Sequence, residues 1–330
     1  MSFKRLDPED FLISADSTIT PAWSNYSSSL ISPFEFSTAQ IGSDSGRYYM
    51  NIYNTDPDPA GSSAEPQFAI AYGDSKGSGS LWYNDNVPGL SPSRTVYGQF
   101  ANLLLGEDEG TSFDFGGPAE NNESFLAIVV NRARYKQMIY PGSIQIRLSG
   151  FNPYITDNSR ITPIVEYTPA GRRYSLGSGS FGNGVMPAGS TEGVYGYLYP
   201  DVGVIILNYN AISVLNSAVQ RQPNTNNNNN EQLRSRLARF TLQSQETITS
   251  DFVFCRARNA EFNYSVNPSF SVSASAGTIL YDDFIQNPTT YITSVGMYND
   301  NNELLAVAKL SKPLKKDFTK EALIRVKLDF

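Results

Sequence analysis

TTYITSVGMYNDNNELLAVAKLSKPLKKDFTKEALIRVKLDF, residues 289–330, sets the reading of the whole chain. Two apolar runs, Tyr291–Tyr298 and Leu304–Leu310, flank the polar turn Asn299–Glu303, and alternation resumes in Ala322–Phe330. Side chains that alternate with period two line opposite faces of a strand. Three such runs separated by polar breakers therefore predict a β-meander. Nothing in the stretch groups residues for catalysis.

The same rhythm extends back through the chain. Arg47–Tyr53, Gln67–Gly73, Arg160–Tyr167 and Thr247–Ala257 read as strands, and Ile144, Ile146 and Leu148 share one strand face after the Pro141–Gly142 turn. Phe125–Val130 is continuously apolar and reads as buried. Val194–Asn208 predicts strands around a turn at Pro200–Asp201. Thr55–Pro66 reads as a rigid loop, and Gly171–Gly193 as a mobile or unusually shaped one. Short helices are expected at Val96–Leu105, Ala211–Val219 and Glu231–Phe240. In the first, Tyr97, Phe100, Ala101, Leu104 and Leu105 share a side; in the last, Leu233, Leu237 and Phe240 do. Nineteen prolines and twenty-five glycines leave no room for long helices.

Five consecutive asparagines, Asn226–Asn230, offer no apolar surface to bury and predict a break or an insertion. The expected organisation is an extended N-terminal arm at 1–32, a main β-rich domain at 33–220, an Asn-rich loop at 221–232, and a C-terminal β-rich region at 233–330. The last is either separate or part of the same domain. The fold class expected is mainly β: multi-lobed antiparallel sheets or an interrupted β-sandwich, with a few short helices and long loops. No fixed period supports a propeller or solenoid.

Composition narrows the function classes. A net charge of −7 and the lack of a dense basic stripe argue against a dedicated nucleic-acid site. Charged residues make up 17% of the chain against roughly 25% in ordinary domains, so Ser, Thr, Asn and Gln must supply much of the polar surface. Twenty tyrosines and nineteen phenylalanines favour strands and protein interfaces. Cys255 is the single cysteine and is expected to fill a strand interior, consistent with folding in a reducing cytoplasm. No basic-plus-apolar leader opens the sequence, and no run approaches the roughly 20 apolar residues that span a membrane. Asn25, Asn122 and Asn263, which open N-x-S/T sequons, are accordingly expected to be ordinary surface residues.

The sequence contains no histidine, which excludes Ser-His-Asp and Cys-His chemistry and histidine metal sites built from this chain. The Gly-rich run at 171–193 lacks the lysine placement of a phosphate loop. Asp282 and Asp283 would point to opposite faces of a strand. A pairing of Asp201 with Glu192 has no specific support, although glycosidase carboxylates do meet from separate segments. Asp56 and Asp58 flank Pro57 without the remaining ligands of a calcium loop, and Glu107–Glu109 reads as a solvated helix end. No metal or other cofactor is expected.

Interface residues are the better candidates. Arg132, Arg134 and Lys136 would share one face of a regular strand, either docked on an acidic neighbour or facing solvent. Arg256 and Arg258 repeat that spacing. Arg172 and Arg173 lie in the Gly-rich segment, and Trp23 and Tyr26 in the arm, which either reaches a neighbouring subunit or folds along its own domain. Tyr195 and Tyr197, with Trp82–Tyr83, offer rings for protein or sugar contacts.

FLAIVVNRARYKQMIYPGSIQIRL (125–148), SDFVFCRARNAEFNYSVNPSF (250–270) and the C-terminal stretch together resemble structural proteins of T4-like cyanophage virions. VGMYNDNNELLAVAKL (295–310) is similar to short segments of phage tail-associated proteins. The resemblance implies a virion protein of the contractile tail or baseplate, synthesised in the host cytoplasm. It also implies a noncatalytic assembly role, with other tail or baseplate proteins and further copies of itself as partners. It carries no catalytic motif. Two other readings stand beside it: a receptor- or carbohydrate-binding module with a glycan partner, and a polysaccharide hydrolase using distant carboxylates.

Overall fold

The structure is a computed structural model that describes residues 4–31, 49–55, 63–77, 92–106, 112–115, 122–150, 154–161, 165–179, 195–215, 226–264, 278, 280 and 282–329. It is mainly β, built from antiparallel sheets with a few short helices. The chain divides into two compact units, one of residues 17–246 and the other of residues 1–16 with 247–330.

In chain order the elements begin with a 3-10 turn at Pro8–Asp10, then β1 (Phe11–Pro21), β2 (Ser29–Ile31), β3 (Tyr49–Tyr53), β4 (Pro66–Asp74) and α1 (Ser93–Leu104). There follow β5 (Ser124–Val130), α2 (Arg132–Tyr135), β6 (Met138–Ile139), β7 (Gln145–Leu148), β8 (Tyr154–Asp157), β9 (Glu166–Thr168) and β10 (Gly171–Gly179). Next are β11 (Gly196–Tyr199), β12 (Val204–Asn208), α3 (Tyr209–Leu215), α4 (Asn226–Arg236), β13 (Leu237–Thr241) and β14 (Gln243–Ala257). The chain closes with α5 (Asp283–Gln286), β15 (Thr289–Tyr298), β16 (Leu304–Asp317) and β17 (Ala322–Asp329).

The unit of residues 17–246 is organised by one eleven-stranded sheet, ordered β2-β13-β7-β8-β10-β11-β12-β5-β4-β3 with β9 paired to β10, which curls into a half-barrel. Its centre explains the unbroken apolar run of β5. Leu126, Ile128 and Val130 face one core with Phe68, Ile70, Tyr72, Ile205 and Leu207. Phe125 and Ala127 face a second core with Ala71, Val204 and Ile206. A strand sandwiched between two cores has no solvent face to make polar, so alternation disappears. Each fully buried Leu, Ile or Phe there contributes about 1.5–3 kcal/mol of transfer free energy.

α1 covers the second core with Val96, Tyr97, Phe100, Ala101 and Leu104, the helical face that the spacing predicts. α3 and α4 contribute Ile212 and Leu233 to the first core. α4 is a correction, because it begins at Asn226 and takes in the whole asparagine run. Tertiary contacts override weak propensity: Asn229 and Asn230 are buried, and the Tyr209 hydroxyl donates to Asn229 Oδ1 at 3.0 Å. The helix expected through Phe240 ends at Arg236, and Leu237–Thr241 becomes β13, paired with β7 and β2.

Three further expectations shift. Gly171–Gly179 is a nine-residue strand inside the sheet, paired with β8, β9 and β11, while the remainder of the expected loop lies outside the described residues. Of the strand expected at Arg160–Tyr167, Arg160 lies in a turn, Glu166 and Tyr167 begin β9, and residues 162–164 lie outside the described residues. The C-terminal meander is not one sheet. β15 and β16 form a two-stranded ribbon, whereas β17 pairs with β14 from Ala257↔Ala322 to Ser250↔Asp329. The polar turn and all three strand segments fall where the alternation puts them.

The N-terminal segment is not a free arm over its described length: β1 lies beside β14 in the order β1-β14-β17. In the unit of residues 1–16 and 247–330, the buried apolar side chains among the described residues are Val253, Ala257, Ala322 and Val326. Two of the β14–β17 register pairs, Val253↔Val326 and Ala257↔Ala322, account for all four.

Candidate functional site

Four of the sequence-predicted interface residues meet at one place in the unit of residues 17–246. A cleft of about 410 Å³ is lined by Trp23, Tyr26, Arg134 and Lys136, with Pro21 and Glu65 completing its walls. The end of β1 supplies one wall and the turn after β5 the other.

Trp23 forms the floor and is only 2% exposed. Its ring packs 5.0 Å from Phe240 and 5.9 Å from Phe68, and its indole N–H donates to the carbonyls of Ser28 and Phe240 at 3.1 and 3.2 Å. Trp23 is thus mainly a core residue. Tyr26, three residues on, is 90% exposed. It takes a φ of 56°, with its N–H donating to the Trp23 carbonyl at 3.0 Å. A bulky side chain in the left-handed region is uncommon and strained, and such strain concentrates where a residue must be displayed.

Arg132, Arg134 and Lys136 do not share a strand face. Asn131 caps a short helical turn by accepting the Ala133 N–H at 3.0 Å, and Lys136 leaves it with a φ of 54°. The helical turn sets Arg132 and Arg134 on different sides, and Lys136, beyond the turn, lines the same cleft as Arg134. Arg132 lies over the Tyr135 ring at 4.8 Å and lines a different cleft beside Asn51, Pro66 and Phe68. Arg134 pairs with Glu65 at 3.1 Å, and Lys136 with Glu246 at 2.6 Å. The site therefore shows an exposed ring and paired charges of both signs above the buried Trp23.

The remaining predicted residues sit elsewhere on the sheet and hold it together. Arg172 donates through Nε and Nη2 to Asp201, and its backbone N–H reaches Asp201 Oδ2 at 2.8 Å. Burial alone would raise the Asp201 carboxyl, but the Arg172 hydrogen bonds outweigh it and hold the group below its ordinary value. Arg173 pairs with Glu166 at 2.9 Å and lies 4.9 Å from the Tyr197 ring centre. Tyr197 stacks on Phe115 at 5.6 Å and donates to the Asp114 carbonyl. Tyr195 is half-buried against the first core.

Asp157 is fully buried, and burial pushes its carboxyl up despite the opposing hydrogen bonds. It accepts the Gly142 N–H at 2.9 Å and the Ser159 N–H at 3.1 Å, tying down the Pro141–Gly142 turn. Among the described residues, no group of three or more His, Cys, Asp or Glu side chains is placed to hold a metal. Asp56, Asp58, Trp82, Tyr83, Glu107–Glu109 and Glu192 lie outside the described residues.

The sequon asparagines do structural work. Asn25 Oδ1 accepts the Ser27 N–H at 3.2 Å, Asn122 Oδ1 accepts the Phe115 N–H at 2.9 Å, and Asn263 Oδ1 accepts Lys316 Nζ at 2.8 Å.

A second surface escapes residue-by-residue reading. Nineteen large apolar side chains are exposed among the described residues, and fourteen of them belong to the unit of residues 1–16 and 247–330. Phe11, Leu12 and Ile13 are exposed in succession, so both faces of β1 are bare there. Tyr291, Leu304, Leu305 and Val307 are exposed on the ribbon. Strand alternation predicts one wet face per strand, whereas both faces are exposed at Phe11–Ile13.

Comparison with protein-family models, with curated proteins and with solved structures yields no match.

Proposed function

We propose that this chain is a noncatalytic structural protein of a virion that connects neighbouring subunits of a contractile tail or baseplate. The observation that carries this reading is the concentration of exposed apolar side chains in one unit: among the described residues, fourteen of nineteen lie in residues 1–16 and 247–330. Contiguous exposed apolar surface marks interaction sites in soluble proteins. With four buried apolar side chains described in that unit, partner surfaces supply the cover that its own core does not. The resemblance of residues 125–148, 250–270 and 295–310 to virion proteins gives the context, and the Tyr26 cleft adds a second contact site.

The test is cross-linking mass spectrometry on purified particles. Peptides containing Phe11–Ile13 and Leu304–Val307 are expected to be linked to other tail proteins. Absence of the chain from particles would overturn the proposal, as would turnover of host envelope glycans by the isolated protein.

A further inference from the structure

We propose that β15 is the self-association edge of this protein, pairing antiparallel with β15 of a second copy about a two-fold axis. This deepens the assembly reading above and rests on it. β15 and β16 pair only with each other among the described residues, so each has one free edge. A two-stranded ribbon is marginal in water, and further strands are needed for independent stability.

The two edges differ in chemistry. Lys309, Lys312, Pro313 and Lys315 lie along β16 and are all exposed. Lysine and proline are devices that keep an edge strand from recruiting another. β15, TTYITSVGMY, has neither: its ten residues include no charge and no proline. The other outer strands of this unit carry charge, since its part of β1 ends in Asp16 and β17 holds Arg325 and Lys327. A strand that faces its own copy must be self-complementary, and a neutral strand meets that condition.

Gly296 leaves no gap in it, because the Tyr298 ring and Leu304 lie over the position where a Cβ would stand. Joining two ribbons gives the order β16-β15-β15-β16, with the lysine-bearing strands outermost. The contact closes on itself and growth stops at two copies.

Light scattering of the purified full chain should give twice the 36.3 kDa chain mass. Thr293 and Ser294 are exposed and flank the strand midpoint, where the two-fold axis would run. The double substitution Thr293→Lys with Ser294→Lys should give a monomer, whereas Ser311→Lys on β16 should leave the dimer intact. Hydrogen exchange on the unaltered chain gives a reading that needs no variant: β15 amides should gain protection with rising protein concentration and β16 amides should not. A monomeric mass throughout, a dimer that survives the double substitution, or concentration-independent β15 exchange would overturn the proposal. A dimer absent from particles would overturn the virion reading alone, and a monomer present in them the β15 contact alone.

Discussion

Lys316 Nζ lies 2.8 Å from Asn263 Oδ1, and this contact fastens the base of the β15–β16 ribbon to the turn that follows β14. Lys316 is fully buried, and its ammonium also donates to the carbonyls of Asn259 at 3.0 Å and Asp317 at 2.9 Å. Three donors meet three acceptors, which is how a buried cation is tolerated. The ribbon therefore has a fixed root and an exposed body.

Lys316→Met removes these bonds, two to part-buried acceptors and one to a buried acceptor. The expected loss is about 1.5–3 kcal/mol, confined to the unit of residues 1–16 and 247–330. Hydrogen exchange should accelerate at Thr289–Ile292 and Leu314–Asp317 while the eleven-stranded sheet keeps its protection. Lys315→Met, one residue away and exposed, is the control; an equal effect from it would remove the anchoring role.

Asp201 and Arg172 make stability depend on pH. Because the folded carboxyl sits below its ordinary value of 3.8, the pair stabilises fully above that value and loses its contribution as pH falls through the depressed one. Asp201→Asn should cost about 1–2 kcal/mol at neutral pH and progressively less in acid. Urea midpoints for both proteins at pH 7 and pH 3 check the sign; a gap that widens in acid would refute it.

Trp23 and Tyr26 should separate folding from assembly. Trp23→Ala empties a site packed by Phe68 and Phe240 and should destabilise by about 3–5 kcal/mol. Tyr26→Ala should change stability by less than about 0.5 kcal/mol, since its ring touches solvent, yet reduce incorporation into particles. Normal incorporation of the Tyr26 variant would remove the cleft from the contact surface.

Gly196 has a φ of 124°, and a Cβ there would stand 1.8 Å from the Ile206 carbonyl oxygen in the paired strand. Gly196→Ala cannot relax without moving β11 away from β12, at the centre of the sheet. The backbone strain alone is about 1–3 kcal/mol, and the clash adds to it. Thermal unfolding should show a lower midpoint than for Gly98→Ala, where the added carbon meets open space.

Local chemistry wrote much of this protein directly into its sequence. Strand-like runs marked β3, β4, β7, β14 and the three C-terminal strands, and the unbroken run of β5 announced burial. The helical face of α1 and the turn at Pro200–Asp201 were equally legible, because period and turn residues act within a few positions of one another.

Pairing partners and cover were not legible in this way. The asparagine run forms a helix in which Asn229 has a buried partner in Tyr209, twenty residues before it. The basic triplet splits because Asn131 caps a helical turn, and each cation then finds a different neighbour. β17 leaves the ribbon for β14, although the two segments are separated by more than sixty residues. Such outcomes depend on which distant groups arrive to satisfy a hydrogen bond or bury a face. Strand period could set which side chains alternate; only the tertiary structure decided which of those faces stayed bare.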